Sequence, residues 1–289
     1  MIHVGNMKKC TAFVLGGGGS RGALQVGALR ALYEAGIVPD LLVGTSIGAV
    51  NAVSLALFGY DLNGLNHLEK AWKEVSSAQI LDPRVSQVIL KAMVGHPSDR
   101  SRKKSSGFFI SQGITPDLQF NQISQVRLAL ISANIETGQP VIHGQNLDDF
   151  VLDGLLSSIA IPPWFVPLKK DGQLIIDGGA FSNLPIEPAL RMGATEIFAL
   201  DMDNPITTTG EDLTFSEYLG KFSYAMSRRH ISLEEALAET NGVPVHCIEF
   251  RGLTTLPIWD FSNYQELIDA GYKKARMAIA AWHSEAQYN

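Results

Sequence analysis

Residues 41–58 read LLVGTSIGAVNAVSLALF, an apolar run, a serine between two glycines, and a second apolar run. Leu41 to Val43 predicts a strand, Gly44-Thr45-Ser46-Ile47-Gly48 a tight turn, and Ala49 to Phe58 a helix. The stretch just before it has the same form. Thr11 to Leu15 is a short apolar run closed by Gly16, Gly17, Gly18 and Gly19, and Leu24, Ala28, Ala31 and Leu32 recur at helical spacing within Ala23 to Ala35. Gly36 ends that helix and Pro39 follows as a stop signal. Strand, loop and helix, repeated, imply right-handed crossovers and a parallel sheet, with both glycine-bearing loops on the edge formed by the carboxyl ends of the strands. The fold class expected is therefore α/β, three layers with a mostly parallel central sheet between helices.

Further along, Val126 to Asn134 and Pro140 to His143 predict two strands joined by a turn at Glu136, Thr137, Gly138 and Gln139. Asp149 to Ser158 predicts a helix. Ile159 to Pro167 carries three prolines with Trp164 and Phe165 and is too broken for regular structure; its bulk suits either an acyl-chain wall or a core plug. Leu174 to Ile176, Glu196 to Leu200 and Val245 to Phe250 predict strands, and Pro188 to Met192, Phe215 to Glu239 and Tyr264 to Trp282 helices. Residues 82–116 differ: Arg84, Lys91, Arg100, Arg102, Lys103 and Lys104 lie among Ser, Gly and Pro, with only Asp99 opposing them between 84 and 104. This segment is a candidate mobile cap, and its basic stretch from Arg84 to Lys104, adjoining Phe108, Phe109 and Ile110, could dock on anionic lipid; the alternative is a solvated loop. No repeat or linker divides the chain, so residues 1–289 are expected to form a single domain.

Composition narrows the function classes. The 289 residues are 46% hydrophobic and 18% charged, ordinary for a chain that folds by burial. Net charge is −6, with 13 Lys/Arg against 11 Asp/Glu in residues 1–150 and 10 against 18 in residues 151–289. Such a balance argues against nucleic acid as a partner. Cys10 and Cys247 stand far apart without ligand-like spacing, so neither a disulfide framework nor a metal site is expected. Lys8 and Lys9 precede an apolar run that glycines end too soon for a signal peptide, and a cytoplasmic location, at most peripheral to a membrane, is expected. Leu41 to Tyr60 is free of charge over the length of a membrane span, but the polar groups bunched at its start would be costly in lipid.

The chemistry concentrates in three places. Ser46, between a strand and a helix and flanked by Gly44 and Gly48, has the context of a nucleophile elbow; the alternative is a plain helix N-cap at Thr45 or Ser46. The Ile47 amide, at the positive end of the helix dipole, could stabilise an oxyanion. Gly17-Gly18-Gly19-Ser20-Arg21-Gly22 lets several backbone amides converge on one anionic oxygen. It lacks the Gly-Lys-Ser/Thr of a nucleotide-binding P-loop. Gly17, Gly19 and Gly22 do satisfy a dinucleotide fingerprint, but the end of the second strand, where the ribose-binding acid belongs, holds the serine turn. A serine nucleophile needs a base. Of the seven histidines none is well placed: His143 follows a strand, His230 lies in a helix beside Arg228 and Arg229, and His246 sits within an apolar strand. Asp177, after Leu174-Ile175-Ile176 and before Gly178 and Gly179, stands at the functional sheet edge; its alternative is a turn aspartate.

Together these residues resemble the patatin-like phospholipase family. The resemblance rests on Gly17 to Gly22, Gly44 to Gly48, Ser157 to Pro167, and Asp177-Gly178 through Asn183-Leu184-Pro185, and it extends to Asp260 through Tyr272. One departure is Gly16, where the family commonly has Asp. The resemblance implies a hydrolase of lipid or small acyl esters, of the phospholipase A, lysophospholipase or carboxylesterase type, working without cofactor. It implies Ser46 as nucleophile, Asp177 as direct base without histidine, Gly17, Gly18, Gly19 and Ile47 as the oxyanion hole, and Arg21, Gly22, Gly44, Gly48 and Gly178 in support. An acyltransferase of related fold, which would pair serine with histidine, and a catalytically quiet lipid-binding protein are the alternatives.

Overall fold

Short apolar runs rich in β-branched and aromatic residues become buried strands. The computed structural model describes residues 8–78, 100–170, 172–203, 214–253 and 257–288. β1 (Thr11–Leu15) leads to α1 (Gly22–Glu34), and β2 (Leu41–Thr45) leads to α2 (Ile47–Phe58), followed by α3 (Leu62–Ala78) and α4 (Arg100–Ser111). β3 (Arg127–Asn134) and β4 (Gln139–His143) then form a hairpin. Its turn is where the sequence puts it, with Asn134 Oδ1 accepting from the amides of Glu136 and Thr137 at 3.0 and 3.2 Å. After α5 (Val151–Ser158) come β5 (Leu168–Lys170), β6 (Gln173–Asp177), α6 (Ile186–Arg191), β7 (Glu196–Asp201), α7 (Phe215–Thr240), β8 (Val245–Glu249) and α8 (Tyr264–Tyr288).

The strands make one sheet in the order β5-β6-β3-β2-β1-β7-β8. From β3 to β8 all neighbours are parallel, whereas β4, β5 and β6 pair antiparallel. Alternate residues of the parallel strands face two separate cores. Phe13, Leu15, Leu42, Leu130, Phe198 and Leu200 point toward the layer that holds α1, α2, α3, α5 and α8. Ala12, Val14, Val43, Ile131, Ile197 and Ala199 point toward α6 and α7. Burial on both faces is why these strands read as continuous apolar runs. The mostly parallel three-layer sandwich expected from the sequence is the fold observed. Among the described residues no helix is long and apolar enough to cross a membrane.

Three elements go beyond the sequence expectation. α3 buries Leu65, Leu68 and Trp72, a helical spacing inside an otherwise polar stretch. Of the segment at 82–116, residues 82–99 lie outside the described residues, and residues 100–111 form α4. Its polar composition hides a single inward face, where Ser105 and Phe109 are buried four residues apart. β5 closes the irregular segment through its pairing with β6.

The elbow between β2 and α2 needs a glycine at its exit. A Cβ on Gly48 would collide with the backbone carbonyl oxygen of Leu15 in β1. Backbone cannot swing aside as a side chain can, so Gly48→Ala is expected to cost at least about 2 kcal/mol, at the upper range of overpacking. Urea unfolding monitored by circular dichroism measures this.

Candidate active site

The sheet topology brings two distant parts of the chain together at one spot. β3 is flanked on one edge by β4 throughout Leu130 to Asn134. Its other edge is shared end to end: β2 pairs parallel up to Thr45 opposite Ile131, and β6 pairs antiparallel with Asp177 opposite Ser132. β2 and β6 therefore run toward each other and stop at adjacent positions of β3. The residue after one end is Ser46, and the last residue of the other is Asp177.

Ser46 has φ 55° and ψ −122°, and is the one non-glycine with positive φ among the described residues. Such a conformation is uncommon and costly, and persists where the surroundings impose it. Those surroundings are specific. The Ser46 amide donates to Ser158 Oγ at 2.9 Å, and that hydroxyl donates to the Ile131 carbonyl at 2.6 Å. Thr45 Oγ1 donates to the Ser182 carbonyl at 2.9 Å. Ser158, fully buried at the end of α5, thus fixes the elbow to β3. In the sequence Ser158 belongs to the block from Ser157 to Pro167, where nothing local marks this task.

Asp177 is buried, 5% exposed. Its Oδ1 accepts from the Gly179 amide at 2.8 Å, and its amide donates to the Ala160 carbonyl at 3.0 Å. Oδ2 is buried with no hydrogen-bond partner. Burial pushes the carboxyl from the ordinary 3.8 up to about 6, only partly opposed by the nearby Ser46 hydroxyl and the Gly179 amide. The Ser46 hydroxyl lies close enough to the carboxyl to favour its charged form. Gly178 lets this turn lie against β3, since a Cβ there would collide with the Ile131 carbonyl.

The glycine loop approaches from β1. A Cβ on Gly17 would lie 3.3 Å from Ser46 Cβ and 2.5 Å from Asn183 Oδ1, so a larger residue would push the loop off the serine. The expected donor set changes at this position. The Gly17 amide is taken by the Asn183 carbonyl at 2.9 Å, because the loop must tie to the turn after β6 to stay in place. Among the described residues the amides of Gly18, Gly19 and Ile47 have no such acceptor, so these three, unlike Gly17, are left able to donate. Ile47 is the first residue of α2, and Gly22, the first of α1, packs directly on its side chain.

Arg21 is largely buried rather than solvated. Its Nε donates to the Gly18 carbonyl at 3.3 Å, and burial lowers its proton affinity, opposed by Asp203 and Asp201. Asp201, at the end of β7, pairs with Arg228 of α7 at 2.5 Å. Arg21 thus sits on the glycine loop within the field of Asp203 and Asp201, and Arg228 also meets the charge of Asp201. Removing one partner of a buried pair leaves the other charge uncompensated. Arg228→Ala is expected to cost about 3 kcal/mol at pH 8. Because burial already raises the Asp201 pKa, loss of Arg228 raises it further, and the penalty shrinks as pH falls through that value and the carboxyl is protonated. Thermal melts of parent and variant at pH 8 and pH 5 show the difference directly.

The remaining candidates divide cleanly by their surroundings. His143 is buried, bonds Ser132 Oγ at 2.8 Å, and burial drops its pKa to about 4, so it is a neutral core residue. His246 stacks on Phe198, with ring centroids 4.7 Å apart. Trp164 and Phe165 are buried in a small cluster that includes Ile258 and Trp259. The Ile258 carbonyl accepts from the Ser20 amide, so this cluster plugs the space behind the glycine loop. Glu234 of α7, with no sequence motif around it, accepts from Ser182 Oγ and the Glu187 amide at 2.8 Å each and holds the turn after Asp177.

The site thus brings together a strained serine, a buried carboxylate of raised proton affinity and, among the described residues, three amides without a backbone acceptor, an arrangement that could serve covalent acyl transfer.

Comparison with known proteins follows the same line. A family model described as patatin-like phospholipase matches residues 13–190. Human patatin-like phospholipase domain-containing protein 6 is 25% identical over 94% of this chain and 20% of its own length. Lysophospholipase NTE1 of Phaeosphaeria nodorum is 26% identical over 94% of this chain and 18% of its own. The chain spans about a fifth of the length of these curated relatives. The crystal structure of VipD from Legionella pneumophila aligns with 95% of this chain and 67% of its own at 16% identity and a TM-score of 0.45.

Proposed function

Because this chain belongs to the patatin-like phospholipase family, we propose that it hydrolyses lipid acyl esters through a dyad of Ser46 and Asp177, with the Gly18, Gly19 and Ile47 amides as oxyanion hole. The observation that carries this reading is the meeting of β2 and β6 on β3, which sets a strained serine beside a buried carboxylate with an unpartnered oxygen. Ser46 Oγ attacks the ester carbonyl carbon while its proton passes to Asp177 Oδ2. The carbonyl oxygen takes the negative charge and is held by the three amides. Collapse breaks the bond to the alcohol, which leaves with the proton from Asp177. Water then repeats the sequence on the acyl-serine, with Asp177 again as base, releasing the fatty acid and restoring the serine.

The phospholipid headgroup and the position cleaved are open to direct assay. Purified protein is incubated with a lysophospholipid, a diacyl phospholipid and a p-nitrophenyl ester, and released acid or nitrophenol is quantified. Release from at least one substrate, lost in Ser46→Ala, is expected. Equal release by the variant, or none by the parent, overturns the reading.

A further inference from the structure

One face of α2 carries Ile47, Val50, Ser54 and Phe58, and these residues line a groove roofed by α3 and α4. The groove begins at Ile47, the residue that follows the nucleophile. α3 runs antiparallel to α2 along it. Trp72 lies at the Ile47 end, where a Cβ on Gly22 would touch both side chains. His67 lies at the other end, its ring 3.7 Å from that of Phe58 between centroids. Phe109 of α4 also lines it, and Gln112, the residue after α4, donates from Nε2 to Glu74 Oε2 of α3 at 2.8 Å. The lining is almost wholly apolar, and Ser54 Oγ is buried in it without a partner among the described residues. A buried polar group left unsatisfied is uncommon and calls for an explanation.

We propose that this groove receives the fatty-acyl chain of the ester, and that the stacked Phe58 and His67 rings are the stop that limits its length. The proposal rests on Ser46 as nucleophile. Eleven residues of helix separate Ile47 from Phe58, about 16 Å, the extended length of roughly a dozen methylene groups. Free space in the groove is about 40 Å³, far less than such a chain. Entry therefore requires α4 to move away from α3, the acyl chain replacing Phe109 against α2. This assigns α4 the part of a cap, and it makes the enzyme selective for medium to long chains rather than for acetate.

The test uses p-nitrophenyl esters from acetyl to palmitoyl with parent, Ser54→Leu and Phe58→Ala. Leucine at position 54 fills the groove near its middle, and its methyls replace an unpartnered hydroxyl. Turnover of dodecanoyl ester should fall, relative to that of butyryl ester, on the order of a hundredfold as about four methylenes lose their burial. Phe58→Ala removes the stop and should shift the optimum toward longer chains. Superimposable chain-length profiles for parent and both variants would overturn the proposal. A second readout needs no catalysis: bromododecanoate should quench Trp72 fluorescence in Ser46→Ala, and the quenching should be lost on adding Ser54→Leu. Quenching without hydrolysis by the parent would keep the groove and discard the hydrolase; absence of quenching would discard the groove whatever the activity.

Discussion

Asp177→Asn is expected to lower kcat by about 10² to 10⁴, the range that a positioned general base supplies, while the protein becomes more stable at pH 8. Both effects come from the same burial. The carboxyl is raised from 3.8 to about 6 because ionisation inside the protein is opposed by lost hydration. A folded-state pKa above the unfolded value means that the folded protein holds the proton more tightly. The carboxyl therefore favours folding most below about pH 4, and this contribution falls as pH rises to about 6 and stays low above it. About two pKa units correspond to about 3 kcal/mol. Asparagine keeps an oxygen to accept from Gly179 and carries no charge, so it escapes that cost. Thermal melts should show Asp177→Asn above the parent at pH 8 and level with it at pH 4. In the parent, kcat/KM should rise with pH through an apparent pKa of about 6, since Asp177 must be ionised to take the serine proton.

Loss of the nucleophile should be larger still. Removal of a catalytic serine can cost on the order of 10⁶ in kcat, so Ser46→Ala should lose turnover on that order. Stability separates two inactive variants. Alanine keeps a Cβ in the φ 55° conformation, whereas glycine adopts it freely. Ser46→Gly is therefore expected to be more stable than Ser46→Ala by about 1 kcal/mol, the relief of a strained residue less the added freedom of the unfolded chain. Denaturant titration of the pair measures this. Equal stability would mean that the elbow is unstrained.

Much of this architecture can be read from the chain itself, for identifiable reasons. Parallel strands buried on both faces leave uninterrupted apolar runs, so β1, β2 and β7 and the helices between them are visible in composition and spacing. The glycines at 16–19, 44 and 48 are visible because close backbone approach admits nothing larger. What lies beyond reading is set by partners distant in sequence. That Asp177 faces Ser46 follows from the register of two strands on β3, and no local pattern encodes it; only the resemblance to a family links the two. Ser158, Asn183 and Glu234 escape for a similar reason, since each works by one or two hydrogen bonds to backbone or to another side chain across the fold. Gly17 reads as a donor because a run of glycines does not reveal which amide is already taken. α4 reads as loop because its polar residues outnumber the two that point inward, Ser105 and Phe109.

The central claim is that Ser46, activated by Asp177 alone, is the nucleophile. Labelling with a fluorophosphonate, followed by peptide mass mapping across pH, tests it most directly. The account predicts a single adduct on Ser46, forming with a rate that rises through an apparent pKa of about 6, abolished in Ser46→Ala and slowed by orders of magnitude in Asp177→Asn. An unlabelled parent, an adduct on another residue, or labelling of Asp177→Asn at the parent rate would contradict it.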